Sequence, residues 1–205
     1  MTHTDQLAPS TRTRGVQRIW DPRVWGTIIG AIGATVFVMV SRGVLPGPWP
    51  LVAVAVWALA LLAYVAFVFV VPRTFGEIHM VGAKGGFVYL GSVAGMLALI
   101  RLGTMVLDNA GKTELRPALI VVAVGLHFLP FAAAFHTPMF RLLGAIMAVL
   151  GSLGLALGWG WDARAAAAMA VASGIVMLAV IAGDAARGTP ITRSSDMAGA
   201  DTAGK

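Results

Sequence analysis

Five residues carry chemistry that their surroundings do not: Arg101, Thr104, Asp108, His127 and Pro130, all set in or beside long apolar runs. Arg101, Thr104 and Asp108 are spaced three and four apart, so on a helix they share one face. In VGLHFLPFAAAFHTP, Val124 to Pro138, a proline follows His127 by three residues. That proline removes the hydrogen bond that would reach the Leu126 carbonyl and leaves an acceptor free beside the imidazole. Two readings of His127 stand side by side. A neutral imidazole satisfies backbone groups at the kink, using its N–H for one neighbour and its bare nitrogen for another. Alternatively the five residues line a polar cavity, in which a side chain with an unperturbed pKa of about 6.5 suits a proton relay. Arg101 has the same ambiguity. Helical side chains lean toward the amino terminus, which points Arg101 at the bilayer centre and toward Asp108 or His127 on the next, antiparallel helix. The plainer reading has it snorkelling to Asp108 and the outer headgroups.

Other motifs fail on spacing. DNAGKTE ends like a phosphate-binding loop, but the position five residues before Gly111 is Val106, not glycine, and the stretch follows an apolar helix rather than a strand. GAKGG, Gly82 to Gly86, also lacks the spacing. There is no HExxH, no serine elbow and no pair of histidines at metal-binding spacing. With no cysteine in the chain, thiolate chemistry and Cys-ligated metals are excluded. His127 as a haem ligand lacks a second histidine at its depth, since His136 lies at a span end and His3 and His79 lie in a tail and a loop. Glu77 and His79 fit a solvated loop or a small contact patch. The expectation is no enzyme active site, no cofactor and no metal.

The elements that must position these residues follow from composition. Of 205 residues 58% are hydrophobic and 12% charged, against about 25% charged in a soluble domain. The mean hydropathy is +0.84. Such a chain cannot cover a water-facing surface, and its apolar runs match the roughly 20 residues a membrane-spanning helix needs. The prediction is an all-α polytopic transmembrane bundle of about six spans: Trp25 to Val40, Leu51 to Val71, Gly86 to Leu107, Pro117 to Phe135, Met139 to Trp159 and Ala165 to Gly183. Residues 1–24 form a basic tail and residues 184–205, rich in small and polar residues, a disordered one. Short loops make neighbouring spans antiparallel. Ten Lys and Arg lie on the side of the amino terminus and four on the other, with Arg101 inside a span, so both termini are expected in the cytoplasm. Five of the six tryptophans fall at span ends, where indole prefers the headgroup region, and Trp57 alone falls inside. The net charge of +6 is accounted for by this topology, so nucleic acid is not an expected partner.

Helices in lipid gain no hydrophobic drive from touching, so small residues mark close packing. Gly26, Gly30 and Gly33 in the first span, Gly91 and Gly95 in the third, and Gly151, Gly154 and Gly158 in the fifth are the expected packing positions. The alanine-rich sixth span is expected to be a packing helix. No internal repeat is visible, which argues against an inverted-repeat transporter.

GLHFLPFAAAFHTPMFRLLGAIMAVLG, Gly125 to Gly151, resembles a recurrent segment of small, uncharacterised bacterial multi-pass integral membrane proteins. The matching positions are Gly125, His127, Phe128, Pro130 and Phe131, with Arg141 and Gly144 beyond the turn; His136 stands where a basic residue is usual. The resemblance covers about two spans and implies a bacterial plasma (inner) membrane, with no catalytic role. Two functions are consistent with these features. One is a non-catalytic accessory or scaffold protein whose glycine-rich faces dock onto a second copy or another membrane subunit. The other is a small permease or channel for an ion, proton or small solute using the Arg101 to His127 cluster.

Overall fold

The computed structural model describes residues 22–71, 73–74, 83–135, 138–187 and 189–190. Glu77, His79, His136, Gly82 and most of both tails lie outside these residues, while Ala83–Gly86 of GAKGG form the first turn of a helix rather than a loop. Six long helices form the fold: α1, Pro22–Ser41; α2, Trp49–Val65; α3, Ala83–Asn109; α4, Arg116–Phe135; α5, Pro138–Gly160; α6, Arg164–Arg187. All six are long and apolar enough to cross a membrane. The chain is an all-α, six-span bundle.

Local chemistry explains the helix ends. Pro50 and Pro117 are second residues of their helices, and Pro138 is a first residue, positions where a missing N–H costs nothing. Beyond Val65, α2 continues as a π-helical turn over Ala66–Val70, after which Val71 turns extended. α3 stops because Gly111 takes a left-handed conformation, φ +66°. There the Gly111 N–H donates to the Asp108 carbonyl and the Lys112 N–H to that of Leu107, the glycine-ended helix stop. DNAGKTE is therefore a helix terminus with a 3₁₀ turn, Thr113–Leu115, leading into α4. The α6 start is capped by Asp162, whose carboxylate accepts the Arg164 N–H at 2.9 Å. α6 also extends to Arg187, four residues past its expected end.

A two-residue antiparallel pairing joins β1, Arg73–Thr74, to β2, Thr189–Pro190. It ties the α2–α3 connection to the chain beyond α6, so both lie on one side of the bundle.

α6 is the hub. It packs on α1, α2, α5 and α4, and eleven of its 24 residues are buried. Its small residues allow this: Ala166, Ala167, Ala170, Ser173 and Gly174 are all buried. A Cβ at Gly174 would lie 2.5 Å from the Ala34 carbonyl oxygen of α1. The tightest seam is between α4 and α5, where Gly125, Gly144 and Gly151 leave almost no space between backbones. Large apolar side chains point outward along α1 to α5, Leu51, Leu59, Phe87 and Leu102 among them, as expected where lipid is the solvent.

Of the predicted packing glycines, Gly30, Gly151, Gly154 and Gly158 do meet neighbouring helices closely, and Gly26 reaches Phe140 at 4.0 Å. Gly33, Gly91 and Gly95 do not: nothing lies within 4 Å of a Cβ built on any of them. For Gly91 and Gly95 the physical reason is that α3 sits at the edge; Gly33 lies on α1, on a side that no neighbouring helix approaches. The substantial contacts of α3 are with α4 and the Thr113–Leu115 turn, and among its described residues Leu107 alone is buried.

Candidate functional site

The α3–α4 pair holds all five residues. Register decides which of them meet. Gly103 of α3 faces Leu119 of α4, with a Cβ position 2.7 Å from the leucine methyls, and Leu107, Leu115 and Leu119 share one small apolar cluster. Nearer the other end, His127 lies against Tyr89 and is hydrogen-bonded to the backbone of Ser92. Arg101 is nine residues along α3 from Ser92, about 13 Å at 1.5 Å per residue.

Arg101 and His127 are therefore at different depths. Among the described residues no hydrogen bond or ion pair reaches the Arg101 guanidinium. The residue is exposed on the side of α3 away from α4, sharing that side with Phe87, Gly91, Ala94, Ala98 and Met105. Thr104 is engaged with its own helix: its hydroxyl lies 2.8 Å from the carbonyls of Ile100 and Arg101. Asp108 pairs with Arg116 rather than Arg101, at 2.6 Å and 3.1 Å from its guanidinium nitrogens, with both side chains exposed. This pair and Lys112, whose ammonium sits 5.8 Å from the centre of the Trp159 ring, form a charged, aromatic rim at the end of the bundle that holds the α3–α4 connection. Pro130 is exposed within α4, which continues through it to Phe135.

His127 occupies an aromatic setting. Its ring centroid is 6.2 Å from that of Tyr89 and 5.6 Å from that of Phe128, and Phe128 stacks on Phe140 of α5 at 5.6 Å. One polar contact of its ring goes to the Ser92 backbone on another helix. Thus His127 clips α3 to α4, and Phe128 carries the contact on to α5.

A second polar arrangement escaped the sequence. Between α1 and α2, Trp57 Nε1 donates to Thr35 Oγ1 at 3.2 Å, Thr35 donates to the Ala31 carbonyl at 2.8 Å, and the Thr27 and Tyr64 hydroxyls lie 3.3 Å apart. Thr35 and Tyr64 border a 310 Å³ cleft lined also by Ile28, Ile32, Leu61 and Phe69. The one tryptophan inside a span was its signal, because a buried indole N–H needs an acceptor. Among the described residues no three His, Asp or Glu side chains gather as metal ligands would.

Comparisons with known protein families, with curated proteins and with solved structures give no match to this chain.

Proposed function

We propose that this protein is a non-catalytic accessory or scaffold subunit of a bacterial plasma (inner) membrane, with both termini in the cytoplasm, and that α3 is the helix it docks with. One observation carries the reading. α3 packs on its own bundle through one face only, and the opposite, exposed face bears a cation at membrane depth. A central arginine costs roughly 2.5 to 3.5 kcal/mol on insertion scales. A helix serving only its own bundle would insert more readily with a leucine there. The positive-inside count and the resemblance of Gly125 to Gly151 to bacterial proteins support the membrane and its orientation. The permease reading needs Arg101 and His127 in one wet path; their separation in depth and the aromatic setting of His127 leave it without support.

The test is the state of the protein in lipid particles cut from native membranes. A stable complex of more than one chain is expected. A lone monomer under conditions that preserve other complexes would overturn the reading.

A further inference from the structure

Resting on the reading that α3 docks, we infer the chemistry of what it docks to: a transmembrane helix of a different protein that carries an Asp or Glu level with Arg101. The Asp108–Arg116 pair and Lys112 over Trp159 mark the outer rim of the bundle. Arg101 lies seven residues below Asp108, about 10 Å deeper along the helix, and eighteen residues, about 27 Å, from Ala83 at the other end. Its side chain leans toward the amino terminus of α3, away from the nearer rim. Lipid phosphates are thus poorly placed to neutralise it. Thr104 is spent on its own backbone, and Asp108 on Arg116. A carboxylate is the group whose fork matches a guanidinium, and at this depth it needs the cation as much as the cation needs it.

The chain cannot supply that carboxylate from a second copy. Among the described residues, the acidic side chains within the candidate spans are Asp108 and Glu114 at the rim and Asp184, three residues from the end of α6 on the opposite side. A symmetric α3–α3 contact would bring two Arg101 cations together. The partner is therefore another chain, and the open space over Gly91 and Gly95 lets its backbone approach closely.

The test uses full-length protein made in its native host, with a photo-crosslinking amino acid at Ala98, one turn from Arg101, and at Leu59 on α2 as a control. Adducts are mapped by mass spectrometry. The expected result is an adduct from Ala98 only, to a transmembrane segment of one other protein containing Asp or Glu. Arg101→Leu should lower its yield by about tenfold or more, and Arg101→Glu should abolish it until the partner's acid is changed to Arg. Because Arg101 faces outward, the circular dichroism and unfolding midpoint of these variants should match the parent. An adduct to a segment without a carboxylate, an α3–α3 adduct, or a yield indifferent to Arg101→Leu overturns this inference while leaving docking intact. Absence of any protein adduct from Ala98, Leu102 and Phe87 overturns both.

Discussion

Gly125→Ala adds one methyl group at the tightest point between α4 and α5. Its Cβ would lie 2.5 Å from the Ala148 nitrogen, 2.9 Å from the Gly144 oxygen and 3.0 Å from the Ala148 Cα. These are backbone atoms, so no rotamer change relieves the contact. Ordinary contact begins at 3.4 Å, so the helices must part there by 3.4 − 2.5 = 0.9 Å. A gap of that size forfeits a quarter to a half of each dispersion well it opens. The seam opened is long, because Gly144 abuts the Gly125 oxygen and Gly151 abuts the Val122 nitrogen. Overpacking of this kind costs about 3 kcal/mol at the upper end of its usual range, and the gain in helix propensity from glycine to alanine returns about 1. A net loss of about 2 kcal/mol is expected. Gly95→Ala, whose Cβ meets nothing within 4 Å, is the matched control and should lose nothing. The assay is reversible unfolding in mixed micelles with rising SDS fraction, followed by tryptophan fluorescence. Equal midpoints for the two variants would refute the close α4–α5 packing.

His127→Ala removes the contact with the Ser92 backbone and the rings of Tyr89 and Phe128, and should cost about 1 to 3 kcal/mol in the same assay; hydrogen exchange should rise first around Ser92 on α3. Trp57→Phe deletes the bond to Thr35 and should cost about 0.6 kcal/mol, the average for such bonds between membrane helices. A loss above 2 kcal/mol would mean that Trp57 does more than the structure shows. Asp108→Asn breaks an exposed ion pair and should change stability by less than about 1 kcal/mol, an effect that added salt erases.

The spans were legible because lipid imposes one rule on all of them: backbone groups must be satisfied within the helix, so length and hydropathy suffice. Proline placement at Pro50, Pro117 and Pro138 located three helix starts to within two residues. The packing role of α6 was legible from its alanines, and Gly151, Gly154 and Gly158 from their spacing. What a single sequence could not carry was register and neighbour choice. Arg101 and His127 sit at comparable distances from the α3–α4 turn, yet the fit of Leu119 against Gly103 and the extra 3₁₀ turn set them at different depths. Gly91 and Gly95 have the spacing of a packing pair, but spacing does not say whether the neighbour is in the same chain. Gly125, Gly144 and Gly174 were missed as packing positions for a related reason. Each contact needs a small residue on one helix and a near backbone on another, which no pattern along a single helix reveals.

The most direct measurement exploits the absence of cysteine in the chain. A single cysteine at Ala98 and, separately, at Leu59 carries a spin label, and oxygen accessibility is compared between lipid particles cut from native membranes and the purified protein in lipid. If α3 is a docking helix, the label at residue 98 is shielded and slow in the native particles and becomes oxygen-accessible after purification, while the label at residue 59 is accessible in both. Equal, lipid-like accessibility at both positions in the native particles would contradict the account.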